Sequence, residues 1–166
     1  MVTLREMKDA VSTYFATLVK STITISPDGT LVNPGENFGI LLTVANAVDN
    51  PSQGVQITHV IYHIWVNDAT RARLVVPPSS VGTAWPTATP SDVPYSPGML
   101  TNEMYLFPAG SDIPTLNVGE TDSIRLSGRA VAVGTPRVFF NIMGTVNLEL
   151  ANRSNGVISA PVPIVD

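Results

Sequence analysis

The apolar residues after residue 20 recur with a period of two, and this alternation restricts the fold more than any other feature of the chain. In NFGILLTVAN, residues 37–46, every second residue from Phe38 to Val44 is large and apolar, while most residues between them are small or polar. Successive side chains of an extended chain point to opposite faces. The segment therefore predicts a strand with one buried face.

Several more short strands are predicted, with turn residues between them. The segment STITIS, residues 21–26, alternates in the same way and is followed by the turn signal Pro27-Asp28-Gly29. Residues 55–67 are apolar on both faces, which is typical of a central strand covered on both sides. A chain of about seven to nine short strands with a single helix is expected to form an antiparallel β-sandwich. The other expected strands lie near residues 71–76, 121–128, 136–143, 145–150 and 157–164.

A helix is predicted ahead of the strands, at residues 4–19. Thr3 and Glu6 have the spacing of a capping box, and apolar residues then recur at intervals of three and four. Because so short a helix is not stable alone, its apolar stripe must pack on its own sandwich or on a neighbouring subunit. We therefore divide the chain into an N-terminal helix or arm, 1–20, and a sandwich, 21–166. The stripe contains Leu4, Met7, Val11, Tyr14, Phe15 and Leu18.

One tetrapeptide pattern precedes two of the expected strands. It reads Asn33-Pro34-Gly35-Glu36 at its first occurrence and Asn117-Val118-Gly119-Glu120 at its second. A glycine with positive φ closes a tight turn without steric cost, so Gly35 and Gly119 are predicted turn positions. We expect each following glutamate to return the chain to water, and both strands to enter the sandwich from the same kind of corner.

The segments NPGENFGILLTVANA and LNVGETDSIRL resemble the CARDB and related bacterial and archaeal immunoglobulin-like domains. Those domains combine a Pro-Gly-Glu turn, an alternating strand and a later L-x-x-G-E turn into another strand. The resemblance covers about residues 21–66 and 114–165, and it implies an immunoglobulin-like sandwich. It also implies a non-catalytic module of surface or secreted proteins that mediates adhesion or spacing. The chain differs from that pattern in its ending, ISAPVPIVD, in its extra helix and in an insertion.

The insertion is the proline-rich range 77–110, between the two halves of the sandwich. Six prolines fall between residues 77 and 97, which excludes a regular central strand there. The range is long for an ordinary loop and too apolar for a disordered linker. Two interpretations remain open: a lid over the edge of the core, or a contact surface for a subunit, a glycan or a receptor. Trp85, Tyr95 and Met99 are the candidate anchors.

Composition excludes several classes of function. The net charge is −4, and the nine Lys and Arg residues are scattered along the sequence, so we expect no basic face and no nucleic-acid partner. The absence of cysteine excludes thiolate catalysis and cysteine-based zinc sites. No apolar run reaches the roughly 20 residues that cross a bilayer, and no secretory signal peptide is visible. We therefore expect no membrane span.

No catalytic or metal-binding motif is recognised. His59 and His63 are the only histidines, and on a strand they would lie about 13 Å apart, too far to share one ion, so structural roles are predicted. There is no G-x-S-x-G motif, and the glutamates are scattered. We predict no enzymatic activity, no cofactor and no metal. The loop aspartates that could bind Ca²⁺ lack the usual spacing, and ordinary turn roles are favoured for Asp28, Asp49, Asp68 and Asp112.

These features favour a non-enzymatic structural or interaction protein. It would be a repeated subunit of a larger assembly, such as a surface filament, a sheath or a virion-type particle, with further copies or other protein subunits as partners. The alternative is a carbohydrate-binding or adhesion module in which Trp85 and Tyr95 stack on sugar rings. Both hypotheses favour a location outside the cell, on its surface or in a particle. The predicted interaction residues are Met7, Val11, Phe15, Leu18, Trp85, Tyr95 and Met99.

Overall fold

A computed structural model describes residues 19–26, 31–46, 57–75, 89–106, 115–117, 119–146, 153–154 and 157–166. Within these ranges the chain forms strands and no helix, so none that could cross a membrane. The helix expected at 4–19 lies outside the described residues except for Val19, which begins a strand instead. The strands are β1 (Val19–Ser26), β2 (Asn37–Asn46), β3 (Ile57–Val66), β4 (Ala72–Leu74), β5 (Ser91–Ser96), β6 (Met99–Leu106), β7 (Thr115–Leu116), β8 (Thr121–Ala130), β9 (Arg137–Val146), β10 (Arg153–Ser154) and β11 (Ile158–Pro161).

The described residues form eleven strands and not the expected seven to nine, because the range expected as an insertion contributes β5 and β6, and β7 and β10 are short two-residue strands. The strands form two sheets, as the sequence predicts. A four-stranded sheet has the order β1-β2-β8-β4, and a seven-stranded sheet has the order β10-β9-β3-β6-β5, with β11 beside β9 and β7 beside β3. All strand pairings are antiparallel. The orders β1-β2-β8-β4 and β9-β3 match those of an immunoglobulin constant-type sandwich. The β5–β6 hairpin extends the second sheet beyond β3.

Most of the expected strands are present, with different ends. Those predicted near 71–76, 121–128, 136–143 and 157–164 are found as β4, β8, β9 and β11. The prediction of a separate strand at 145–150 is wrong for its first two residues. They continue β9, because no turn interrupts that strand. Residues 147–150 lie outside the described ranges.

The core lies between the two sheets and follows the alternation in the sequence. In β2 the residues from Phe38 to Val44 alternate between buried and half-buried, which confirms the predicted half-buried strand. Strand β3 lies centrally in its sheet, between β9 and β6, also as predicted. The expected burial of both faces is found on the inner face alone: that face is fully buried, whereas the described outer residues from Ile61 to Trp65 are only half-buried. Tyr62 on the inner face donates a hydrogen bond to Asp122 on β8 (2.9 Å), which links the two sheets.

The two Asn-x-Gly-Glu turns have the same internal geometry. The backbone N–H and the Nδ2 of Asn33 both donate to Oε2 of Glu36, at 2.9 and 3.3 Å, and Asn117 does the same to Glu120 at 2.8 and 3.0 Å. Each glutamate N–H donates to the asparagine carbonyl. Both glutamates are exposed, as expected, and each carboxylate folds back over its turn because it accepts two of the turn's donors.

The turns lie at opposite ends of the β2–β8 pair, and the two corners have the same hydrogen bonding, as expected. The N–H of Gly35 donates to the carbonyl of Ala130, and that of Gly119 donates to the carbonyl of Asn46, both at 2.9 Å. The turn that precedes β2 is thus bonded to the end of β8, and the turn that precedes β8 is bonded to the end of β2. Antiparallel neighbours start at opposite ends, so the repeated segments are related by a local two-fold axis. The two glycines have φ of 91° and 77°.

Part of the proline-rich range 77–110 belongs to the sheet and is not an excursion from it. Residues 91–106 form the β5–β6 hairpin, in which β6 pairs with β3 and β5 is the edge strand. Pro94 is tolerated because an edge strand needs no ladder hydrogen bond on its outer side. Gly98, with φ of 79°, allows the tight connection between the two strands.

Candidate interaction surface

The described apolar surface is concentrated on the β5–β6 hairpin. Residues 94–100, which we call the hairpin tip, surround an open depression of about 490 Å³. At the tip Tyr95 is 76% exposed, Met99 47% and Leu100 38%. With Tyr105 on β6, these account for four of the eight large apolar side chains that are strongly exposed in the described residues. An exposed apolar surface of this kind is typical of a contact site.

A polar network fixes the base of the hairpin to the other sheet. Asn102 on β6 is 2% exposed; its Oδ1 accepts from the N–H of Leu74 on β4 (2.7 Å), and its Nδ2 donates to Asp92 on β5 (2.8 Å). Arg73 on β4 forms an ion pair with the other oxygen of Asp92. Because β4 belongs to the four-stranded sheet, the network holds the hairpin against both layers of the sandwich.

The charge of Asp92 is stabilised by this network. The hydrogen bond from Arg73, followed by that from Asn102, holds the pKa of Asp92 below its usual range. A carboxylate that accepts two such bonds is ionised at neutral pH, so the Arg73–Asp92 pair persists there.

Four rings form a second feature, on the outer face of the seven-stranded sheet. In this aromatic stack Phe139 of β9 lies 5.3 Å from Trp65 of β3, and Trp65 lies 4.5 Å from His63 on the same strand. His63 in turn lies 4.4 Å from Tyr105 of β6, with the two planes 4° apart. The distances join ring centroids. The stack thus crosses three neighbouring strands.

The stack covers both faces of the His63 ring. Trp65 and Tyr105 cannot both lie on one side of a five-membered ring at these distances, so they enclose it. Nε2 of His63 lies 2.9 Å from a carboxylate oxygen of Glu103, beside the stack. Burial, followed by the charge of Glu103, raises the pKa of Tyr105 above its usual range. Tyr105 lies at the end of the stack and is 42% exposed.

Asp68 lies in an ordinary turn, whose donors its side chain accepts. Burial tends to raise the pKa of Asp68, but hydrogen bonds from Thr70 and Arg71 outweigh it and lower the pKa overall. Asp28, Asp49 and Asp112 lie outside the described residues. Within the described ranges no three His, Cys, Asp or Glu side chains come together as metal ligands would.

The structure brings two of the predicted interaction residues together. Tyr95 and Met99 share the hairpin tip. Sequence reasoning missed Leu100 there, and in the stack it missed Phe139 and Tyr105. The pair His63 and Trp65, two residues apart on one strand, was the available signal, but their partners depend on strand register. The other predicted residues, Met7, Val11, Phe15, Leu18 and Trp85, lie outside the described ranges.

Comparison with known proteins places the fold. Neither a protein-family model nor a curated protein matches the sequence. AvmM, a protein described as catalysing macrocyclization in alchivemycin A biosynthesis, has a similar structure, with a TM-score of 0.53 and 10% identity over 90% of this chain and 89% of that chain. The seventh ScaB type I cohesin of Pseudobacteroides cellulosolvens gives 0.43 and 14%, over 87% and 92%. A cohesin in a cohesin–dockerin complex from Clostridium thermocellum gives 0.39 and 14%, over 88% and 99%. At such identities the likeness to AvmM is one of fold alone.

Proposed function

We propose that this chain is a non-enzymatic interaction protein that assembles with further copies of itself through the hairpin tip. The observation that carries the proposal is the exposure of Tyr95, Met99 and Leu100 on one hairpin. Burial of a large apolar side chain contributes about 1.5–3 kcal/mol to association. The assembly would be a filament, sheath or virion-type particle, outside the cell or on its surface.

The rigid base of the hairpin favours this use. Asn102 and Asp92 hold it against β4, so little conformational entropy is lost when the tip is covered. Tyrosine adds a large contact area with few torsions to fix. The tip is therefore suited to act as a preformed anchor.

Side-chain contact is favoured over strand addition at this edge. Pro94 lacks a backbone N–H, and the β5–β6 register is interrupted between Pro94 and Ser96. Both features are known to protect an edge strand from pairing with another chain. A partner would then bind the apolar tip and leave the backbone edge of β5 unpaired.

The test is the concentration dependence of particle size, measured by sedimentation velocity. The wild-type chain is expected to associate, and Tyr95→Ser/Met99→Ser to associate less while keeping its circular dichroism spectrum. Val133→Ser/Val157→Ser removes exposed apolar groups elsewhere and serves as the control. A wild-type protein that stays monomeric at high concentration would contradict the proposal.

A second candidate function is carbohydrate binding, and the aromatic stack favours it. Tyr105 is an exposed ring at the end of the stack, on the same strand as the Glu103 carboxylate, and rings and carboxylates together can bind sugars by stacking and hydrogen bonding. The inner ring of His63 has no open face. Titration with neutral oligosaccharides, followed by calorimetry, distinguishes the two: binding by a monomer that is lost in Tyr105→Ala would replace assembly as the function.

A further inference from the structure

The outer face of the four-stranded sheet collects cations that are scattered in the sequence. Lys20 on β1, Arg73 on β4, and Arg125 and Arg129 on β8 are all exposed there. They are four of the nine Lys and Arg residues of the chain. The expectation of no basic face is therefore wrong, because strand pairing places side chains from distant segments side by side. We call this surface the cationic face.

The rest of the cationic face is largely uncharged and rich in hydroxyl groups. On β8 every second residue points outward, and the described outward residues of all four strands include no carboxylate. Serine hydroxyls therefore lie on both sides of Arg125. The outward residues of β8 are Thr121, Ser123, Arg125, Ser127 and Arg129.

Two of these cations face each other, and their positive charges are not fully neutralised by neighbouring carboxylates. Arg73 and Arg129 are direct partners in the β4–β8 register, and like charges in that position are destabilising. Asp92 offsets the charge of Arg73. Within the described residues the side chains of Arg129 and Arg125 form no hydrogen bond and no ion pair. An external carboxylate would relieve this repulsion.

We propose that the cationic face binds carboxylates of a second copy of this chain; this inference rests on the proposed self-association. The sequence carries thirteen Asp and Glu in total, against nine Lys and Arg. With four of the cations on one face, the rest of the chain carries thirteen carboxylates against five cations and is opposite in net charge to that face. Each guanidinium can bind a carboxylate through two parallel hydrogen bonds, and the adjacent serines can donate further ones.

The resulting contact joins two different surfaces of the same chain. Contacts of this head-to-tail kind give rings or open filaments, whereas a contact between identical patches stops at a dimer. The cationic face and the hairpin tip are then separate contributors to one assembly. Charge would fix the orientation of neighbouring copies, and apolar contact at the tip would add affinity.

Sedimentation velocity at low and high ionic strength tests the inference. Association of the wild-type chain is expected to weaken at high salt, because exposed charges are screened. Arg125→Gln/Arg129→Gln is expected to weaken association at low salt by about tenfold or more and to reduce its salt dependence. The variant Thr135→Glu/Val157→Glu has the same net charge, with both changes at exposed positions away from the face, and is expected to retain the wild-type salt dependence.

The outcomes separate this inference from the role of the tip. If Tyr95→Ser/Met99→Ser abolishes association and the arginine variant does not, the cationic face is overturned and the tip stands. If only the arginine variant loses association, the tip is overturned instead. Two outcomes would overturn a second copy as the occupant. One is an equal loss of association in the arginine variant and its charge-matched control. The other is binding of polyglutamate that depends on the arginines, by a chain that stays monomeric.

Discussion

At the scale of single residues, the two repeated turns depend on glycine conformation and on a carboxylate. A Cβ at Gly35 would meet no atom within 4 Å, so the cost of Gly35→Val comes from its φ of 91° alone. We expect a loss of about 1–2 kcal/mol in the free energy of unfolding, measured by urea denaturation. Glu36→Gln should be nearly silent since its amide oxygen can still accept, whereas Glu36→Ala should lose about 1 kcal/mol. Full tolerance of Gly35→Val would contradict this explanation of the turn.

Gly128 is required for a different reason, which is close packing. A Cβ there would lie 2.1 Å from Cζ of Phe38, its partner across the β2–β8 ladder. Gly128→Ala should therefore destabilise the fold by about 1–3 kcal/mol, and Phe38→Leu should restore part of the loss in the double variant. Gly39→Ala, whose nearest contact would be an ordinary 3.4 Å, is the control. Additive losses in the double variant would show that the ring is not the obstacle.

At the scale of elements, the attachment of the hairpin should depend on pH. The pKa of Asp92 is lowered in the folded state, so its contribution to stability is present above the unfolded value of about 4 and is lost as pH falls from there through the folded pKa. Denaturation curves below pH 5 should therefore show a smaller acid-induced loss for Asp92→Asn than for the wild-type chain. Identical pH profiles for the two proteins would contradict a stabilising Arg73–Asp92 pair.

The alternation of residues made the individual strands predictable, but not their neighbours. The buried face of residues 38–44 can be predicted from those residues alone, because the period of two occurs in consecutive residues. The contacts of His63 with Tyr105, and of Trp65 with Phe139, depend on register between distant segments. The hairpin was missed because prolines argue against a central strand. Pro94 lies in an edge strand, and the position of a strand in its sheet also depends on contacts between distant segments.

At the scale of the whole molecule, charge and apolar area are unevenly distributed over the two sheets. The sequence left open whether the range 77–110 is a lid or a contact surface; Tyr95 and Met99 of this range lie exposed on one hairpin. It could not predict the cationic face, since Arg73 and Arg129 become neighbours only when β4 pairs with β8. Both surfaces are presented by a sandwich whose folding core lies elsewhere. The proposed roles of the two surfaces in assembly can therefore be tested by mutation without loss of stability.

The central claim is that the hairpin tip becomes buried when copies of the chain associate, and oxidative footprinting measures this directly. Hydroxyl-radical labelling followed by mass spectrometry should show that oxidation of Met99 and Tyr95 slows as protein concentration rises, because contact excludes water from the tip. Val133 and Val157, exposed elsewhere, report any general change in labelling. Slower labelling at the tip alone is the predicted result; labelling of Tyr95 and Met99 that is unchanged from dilute to concentrated protein would contradict the account.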